Sequence, residues 1–262
     1  MLEAFIDAPG RHRELTVFPV VAPAGPSLHY LLSTEIQGTD VLTVRERGDQ
    51  VTSMLLAKNN SFHDLLVVAG EPLPGENPGR LVARSFLLGG KSVTQIPASS
   101  LERGGWATPH QESTITHWLE SFPPHRGQVG LLACLGDRIL GMEAFGSEKL
   151  YRPLHRRLVI RFIKEALRES GGWGPHGSPP TEGEDGGTLP PASPGMLEKK
   201  AQTLVSALEE ADRKEDKQIG LGQYWLLRGP VVGGELIHQG NLVHLSVRSG
   251  PPETPPADPQ EE

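Results

Sequence analysis

Side chains with chemical potential concentrate in two short polar segments, GEPLPGENPGR at 70–80 and SSLERGGW at 99–106. An arginine there could bind a phosphate or carboxylate group, and a tryptophan could stack on an aromatic ring. Two glutamates could divide acid and base roles, or hold a divalent metal through oxygen ligands. The candidate site residues are Glu71, Gly75, Arg80, Ser99, Ser100, Glu102 and Trp106.

A glycine pair at 89–90 predicts how these two segments come together. It separates LVARSFLL from KSVTQIP, and a two-residue turn would fold these runs into a hairpin. The register of that hairpin places Arg80 beside Ser99, so its open end gathers both polar segments into a ligand site. The alternative is a structural corner, in which a salt bridge between Arg80 and Glu102 joins the two loops.

Other candidates for chemistry have simpler structural explanations. Arg152, Arg156, Arg157 and Arg161 share one side of a predicted helix. They could form an anion patch, but a solvated outer face is the commoner cause. The histidines lack zinc-ligand spacing, so no metal site is expected. Cys134 lies in the apolar run GLLACL, which predicts a buried, inert thiol.

Motifs for established chemistries are missing from the sequence. It has no Walker loop, no dinucleotide-binding glycine motif after a strand and no nucleophile elbow. The sequence therefore identifies neither a cofactor nor a catalytic residue, and it leaves open whether the protein is an enzyme.

The elements that would position the candidate residues are mostly short strands. The region 15–98 begins with five runs rich in Val, Leu and Thr, broken by Gly, Pro, Asp and Asn. Further two-residue hairpin turns are predicted at Gly136-Asp137 and Gly240-Asn241.

Helices enter in the second half of the chain. Apolar residues at helical spacing predict helices over 148–169 and 196–214, and a shorter helix is predicted over 111–121. The predicted fold class is α+β: a β-rich body of short antiparallel strands and hairpins with two long helices packed on it.

Two stretches have a composition that is typical of disorder. Residues 171–195 hold eight glycines and six prolines, and residues 251–262 hold five prolines. Neither can bury enough apolar surface to offset the entropy of ordering. We therefore expect a lead-in at 1–14, a single α+β domain at 15–250 with a disordered insertion at 171–195, and a disordered acidic tail at 251–262.

Charge and hydropathy exclude some classes of partner. The insertion and the tail carry −3 and −4, which together equal the net charge of −7, so the rest of the chain is neutral. A nucleic-acid partner is not expected, because it would need a basic surface. No apolar run approaches the ~20 residues that span a membrane, and no leader is recognisable. We expect a cytoplasmic protein without a membrane partner; the oligomeric state is left open.

Five sequence blocks, taken in order, indicate a family. They are GEPLPG…R, IPASSLERGGW, HQESTITHWL, GLLACLGDRILGMEAFGSEKLYRPLHRRLVIRFIKEAL and GGELIHQGNLVHLSV. In this order they resemble the ADP-ribosylglycohydrolase- and rhodanese-phosphatase-associated protein domain, over most of residues 15–248. The resemblance implies a genomic association with enzymes of ADP-ribose and phosphate chemistry rather than a particular reaction.

The chain departs from the motifs of that family at three positions. The first family block has Gln and Asn where this chain has Pro78 and Gly79, and the second has a cysteine where Ser100 stands. Loss of the cysteine argues against thiol catalysis, and loss of the two amides argues against an unchanged ligand site. The resemblance therefore implies a divergent member.

Three functions remain as hypotheses. The first is binding of a small anionic ligand, nucleotide- or ADP-ribose-like, at the 70–80/99–106 loop pair, with Arg80 binding a phosphate or carboxylate and Trp106 stacking. The second is hydrolysis by Glu71 and Glu102, with or without a divalent metal. The third is a non-catalytic scaffold.

Overall fold

A computed structural model of the chain provides the structure. The predicted acidic tail at 251–262 and the predicted insertion up to residue 193 lie outside the residues it describes. The described residues are 4–23, 29–36, 38–46, 54–73, 80–100, 115–169, 194–217 and 219–250.

The described residues contain sixteen strands and four helices. The strands are β1 (Phe5–Ile6), β2 (Gly10–His12), β3 (Leu15–Val21), β4 (Leu31–Leu32), β5 (Leu42–Glu46), β6 (Met54–Asn59), β7 (Leu65–Val67), β8 (Arg80–Val82), β9 (Phe86–Leu88), β10 (Val93–Ser100), β11 (Gln128–Leu135), β12 (Arg138–Phe145), β13 (Asp212–Glu215), β14 (Gln223–Arg228), β15 (Val231–His238) and β16 (Asn241–Ser249). The helices are α1 (115–119), α2 (Glu148–Tyr151), α3 (His155–Glu169) and α4 (Pro194–Glu210).

A nine-stranded antiparallel sheet is the centre of the fold. Its order is β1-β3-β11-β12-β16-β15-β14-β13, and β2 pairs with β3. The predicted Gly136-Asp137 turn is confirmed, because Leu135 pairs with Arg138 across it and Gly136 has a positive φ of 57°. The sheet begins before residue 15, since β1 and β2 lie in the predicted lead-in. The α+β fold class is confirmed.

Both faces of this sheet are covered, which explains its apolar central strands. On β11, Leu131 and Ala133 belong to the core cluster that contains α3. Leu132 and Cys134 point the other way, into the cluster that contains α4. A strand buried on both faces reads as a continuous apolar run. The prediction that Cys134 is buried is confirmed, and burial raises the pKa of its thiol to about 12.

Two small sheets carry the predicted ligand segments. One has the order β5-β6-β10-β8 and the other β4-β7-β9, in which β4 and β7 are parallel. The strands on the two sides of Gly89-Gly90 therefore belong to different sheets, and the predicted two-residue hairpin is wrong. The far end of β10 does return to β8, but with Arg80 opposite Ser100 rather than Ser99.

A buried asparagine explains why the chain changes sheets here. The amide of Asn59 donates to the carbonyl oxygens of Leu88 (3.2 Å) and Gly89 (3.1 Å), at the end of β9. The chain then turns through Lys91, whose φ is 56°. The backbone amide of Asn59 donates to the carbonyl of Ser92 at 2.9 Å, and this bond begins the pairing of β6 with β10. The polar side chain of Asn59 thus separates β9 from β10.

The last hairpin turn is displaced by one residue from its prediction. His238 pairs with Asn241, so the turn residues are Gln239 and Gly240, with φ of 52° and 73°. Two successive positive φ values are typical of a type I′ turn. The predicted Gly240-Asn241 turn is wrong.

The helices also differ in their limits from the prediction. Pro153, which has no N–H group, separates α2 from α3 within the predicted 148–169 helix. Helix α4 includes Pro194 and Gly195 from the predicted insertion, and it ends at Glu210 because the next residues form the edge strand β13. No described helix has the length and apolar character needed to span a membrane.

Candidate functional site

The turn at residues 68–71, called the Gly70 turn below, lies beside the strand pair in which Arg80 of the first predicted segment meets Ser100 of the second. Gly70 has a φ of 83°, a conformation that glycine adopts without strain. Its amide donates to the carbonyl of Val82, and the amide of Val82 donates back to the carbonyl of Glu71, both at 2.8 Å. Because β8 pairs with β10, the Gly70 turn, Arg80 and Ser100 lie on neighbouring backbone segments.

The predicted site residues divide into two groups. Glu71 closes the Gly70 turn, Arg80 begins β8, and Ser99 and Ser100 end β10, so the backbone brings these four together. The other three lie outside the described residues: Gly75, Glu102 and Trp106.

Glu71 is buried, and both of its carboxylate oxygens accept hydrogen bonds. One oxygen accepts hydrogen bonds from the hydroxyl of Ser33 (2.5 Å) and the amide of Val68 (3.0 Å). The other accepts from Nη1 of Arg157 at 3.1 Å. Burial raises the pKa of Glu71, against the opposing effect of these three donors. This carboxylate fixes the Gly70 turn from within and ties it to α3.

Helix α3 delivers two arginines to this turn. Arg152 and Arg156 are exposed, as a solvated face requires. Arg157 and Arg161 instead pair with the buried carboxylates of Glu71 and Glu143, so the expectation of a solvated face is wrong for these two. Residues four positions apart lie one helical turn apart on the same face.

Glu143 is the centre of a buried polar network. One oxygen accepts from Nη2 of Arg161 and from the hydroxyl of Ser246 at 2.6 Å. The other lies 2.8 Å from Nε2 of His244. Burial alone would raise the pKa of Glu143, but Arg161, His244 and Ser246 outweigh it and lower the pKa to about 2. Glu143 is therefore a carboxylate throughout the physiological range.

Hydrogen bonds of His244 connect the network around Glu143 with the Gly70 turn. Nδ1 of His244 lies 2.7 Å from Oγ of Ser85, and that oxygen accepts from the amide of Ala69 at 2.8 Å. If Ser85 donates its hydroxyl to Nδ1, then Nε2 carries the proton and donates to Glu143, and every group has a partner. His244 thus links Glu143 to the Gly70 turn.

Two buried polar side-chain atoms among the described residues have no hydrogen-bond partner. They are Oγ1 of Thr34, next to Ser33, and Nε of Arg161, and no other such side-chain atom occurs in the described part of the chain. Arg161 also lies against Gly70: a Cβ built on Gly70 would be 3.8 Å from Nη1 of Arg161. Unsatisfied buried groups are rare in proteins and concentrate where a ligand or water is bound.

A third ion pair borders the network. Arg84 pairs with Asp216, and its guanidinium lies 4.9 Å from the ring centroid of Tyr224. Burial raises the pKa of the Tyr224 phenol. The Tyr224 ring lies against Gly234, where a Cβ would come within 2.2 Å of the phenol oxygen. Three arginines thus face three carboxylates around the Gly70 turn, and their charges balance.

Sequence reasoning missed the members of the network that come from strands. Glu143 and His244 each lie within an otherwise apolar run, RILGMEAF and LVHLSV. An isolated polar residue in such a run indicates a buried, paired group, so this signal could have found them. Among the described residues, no cluster of three or more His, Cys, Asp or Glu side chains could hold a metal ion.

Comparison with known proteins supports one family assignment. The model of the ARG and Rhodanese-Phosphatase-superfamily-associated Protein domain matches residues 4–112 and 107–248. These two matches include the Gly70 turn, β8, β10 and the whole Glu143 network. No curated protein and no solved structure matches the chain.

Proposed function

The chain belongs to the ARG and Rhodanese-Phosphatase-superfamily-associated Protein family, and from this premise we propose that it binds a small anionic ligand at the 70–80/99–106 loop pair. The ligand is nucleotide- or ADP-ribose-like, in keeping with the enzymes after which the family is named. The observation that carries the proposal is the convergence of both segments, with Arg80 opposite Ser100 beside the Gly70 turn.

The geometry around the turn supports binding rather than a mere connection. The backbone is fixed before any ligand arrives, because Gly70 and Glu71 exchange hydrogen bonds with Val82. A preorganised loop loses little entropy on binding, so more of the contact energy becomes affinity. Of the two unsatisfied polar atoms, one belongs to Arg161, which lies beside Gly70, and the other to Thr34, the neighbour of the Ser33 that donates to Glu71.

A thermal-shift screen tests the proposal. ADP-ribose, AMP and inorganic phosphate are added separately to the wild-type protein, where at least one should raise Tm through selective binding to the folded state. Arg80→Ala should abolish that rise. Arg152→Ala is the matched control, since Arg152 is exposed and pairs only with Glu148 among the described residues. A rise that survives Arg80→Ala contradicts Arg80 as a ligand residue, and no rise with any compound favours the scaffold.

Hydrolysis is the second candidate function, and one observation favours it. Burial raises the pKa of Glu71, which is the direction that favours a carboxyl group acting as a general acid. Glu102 would supply the second carboxylate. Glu71→Gln should then abolish turnover of ADP-ribose conjugates or phosphate esters while keeping ligand binding, and Mg²⁺ or Mn²⁺ should raise Tm only if a metal participates. Full turnover by Glu71→Gln would refute this role.

A further inference from the structure

We infer that Arg161 binds the anionic group of the ligand, and that Glu143, His244 and Ser85 are its positioning residues. This inference rests on the proposed ligand site and names the cation within it. The sequence placed Arg161 among four arginines that could form an anion patch, but it did not connect Arg161 with the two polar segments, because α3 lies far along the chain from both.

Only one of the two terminal nitrogens of the Arg161 guanidinium makes a hydrogen bond to the described part of the protein. Nη2 donates to Glu143, while Nη1 has no hydrogen-bond partner in the part of the chain that the structure describes. Nη1 is not among the buried unsatisfied atoms either, and the side chain is 33% exposed, so Nη1 is open to solvent. An arginine with one side held and the other free can bind an oxyanion through its planar fork.

Gly70 leaves room for such a ligand beside Nη1. A side chain at this position would begin 3.8 Å from Nη1, and the φ of 83° disfavours any residue but glycine. The backbone of the turn therefore approaches the guanidinium without covering it. The site lies where the Gly70 turn meets α3, next to the backbone of β8.

The Glu143 network holds this arginine and the turn in a single arrangement. Glu143 receives donors from Arg161, His244 and Ser246, so its own position is fixed. From His244 the chain of hydrogen bonds runs through Ser85 to the amide of Ala69, which is the neighbour of Gly70. The cation and the turn that faces it are thus anchored to the same buried carboxylate, as residues around a metal or anion site often are.

The number of acceptor oxygens favours a phosphate group over a carboxylate. Arg161 and Arg157 are each already paired with a carboxylate, so net charge does not select between the two groups. A phosphate has three acceptor oxygens, so one can accept from Nη1 of Arg161 while the others accept from further donors beside the turn. The ligand class is therefore a phosphate-bearing small molecule.

Isothermal titration of matched variants tests the inference. AMP is the ligand and adenosine, which lacks the phosphate, is its control. Arg161→Lys keeps a positive charge beside Glu143 but loses the fork, so the Kd for AMP should rise about tenfold to hundredfold. Arg152→Lys makes the same change at an exposed position and should leave the Kd unchanged.

The outcomes separate this inference from the proposed function. If AMP binds the wild-type protein and Arg161→Lys with equal affinity, the role of Arg161 is overturned, whereas the ligand site at the loop pair stands. If adenosine binds as tightly as AMP, the phosphate-binding role is likewise overturned. If the wild-type protein binds none of AMP, ADP-ribose and inorganic phosphate, both the inference and the proposed function fail.

Nuclear magnetic resonance of the histidine rings provides a second test, which needs no folded variant of Arg161. In protein labelled with ¹⁵N-histidine, saturating AMP should move the ring resonances of His244, because Glu143 is shared by Arg161 and His244. The resonances of His117, whose side chain is 77% exposed, serve as the control. His244 resonances that stay in place while AMP binds would overturn the coupling.

Discussion

Replacing Glu143 with glutamine removes one charge from the centre of the molecule with almost no change of shape. Arg161 then keeps an acceptor but loses its counter-charge, and the new amide group faces Nε2 of His244. To accept from that amide, His244 must move its proton to Nδ1. Ser85 then accepts from both His244 and Ala69, and its hydroxyl proton loses its acceptor. A single substitution thus reverses the whole hydrogen-bond chain.

The size of the effect follows from the pKa and the burial of Glu143. Its pKa falls from 4.5 in the unfolded chain to about 2 in the fold, and its side chain is only 3% exposed. A shift of this size corresponds to about 3 kcal/mol of folding free energy. Removal of one partner from a buried ion pair has a similar cost. We therefore expect Glu143→Gln to lower Tm by about 6–12 °C.

Urea denaturation at a series of pH values measures this contribution. The depressed pKa stabilises the fold fully above pH 4.5, and the stabilisation is lost as the pH falls towards 2. The free energy difference between wild type and Glu143→Gln should therefore be greatest near neutral pH and shrink below 4.5. The raised pKa of Glu71 acts in the opposite sense, but it is present in both proteins and cancels in the difference.

An exposed carboxylate supplies the control for this experiment. Glu120 lies near His117 at the surface, where its side chain is 75% exposed, so Glu120→Gln should change stability by less than about 1 kcal/mol. If Glu143→Gln is as stable as wild type and keeps its pH profile, the carboxylate is not a buried anchor and the argument for Arg161 loses its basis.

Two further predictions concern other parts of the chain. Cys134 should resist a thiol reagent in the native protein and react only on unfolding, because burial raises its pKa to about 12; rapid native labelling would contradict this. Replacement of residues 171–193 by a short Gly/Ser linker should leave Tm nearly unchanged, since loop closure depends weakly on length; an unfolded product would show that the insertion is structural.

The fold was predictable to the extent that local patterns determine it. Gly136-Asp137 gave the correct turn because both flanking strands are eight residues long and pair directly with each other across it. The Gly89-Gly90 turn failed because a distant side chain, Asn59, binds the carbonyls at the end of β9. Hairpin rules treat neighbouring strands as partners, and they cannot foresee a third strand that competes.

The sequence predicted which backbone segments form the site, but it did not predict which charged side chains pair there. The glycines and the arginine of residues 70–80 indicated the Gly70 turn and β8, and the order of the five sequence blocks indicated the family. The pairing of Arg161 with Glu143, and of Glu143 with His244, joins residues that local sequence patterns do not connect. Only the packing of α3 on the sheet brings these groups together. The helical spacing of the arginines, taken alone, therefore predicted a solvated face.

A crystal structure with AMP at saturating concentration would test the central claim most directly. The account predicts the phosphate within about 3 Å of a guanidinium nitrogen of Arg161, beside Gly70 and the paired residues Arg80 and Ser100. A phosphate bound at any other surface, or an empty Gly70 turn in crystals grown at saturation, would contradict it.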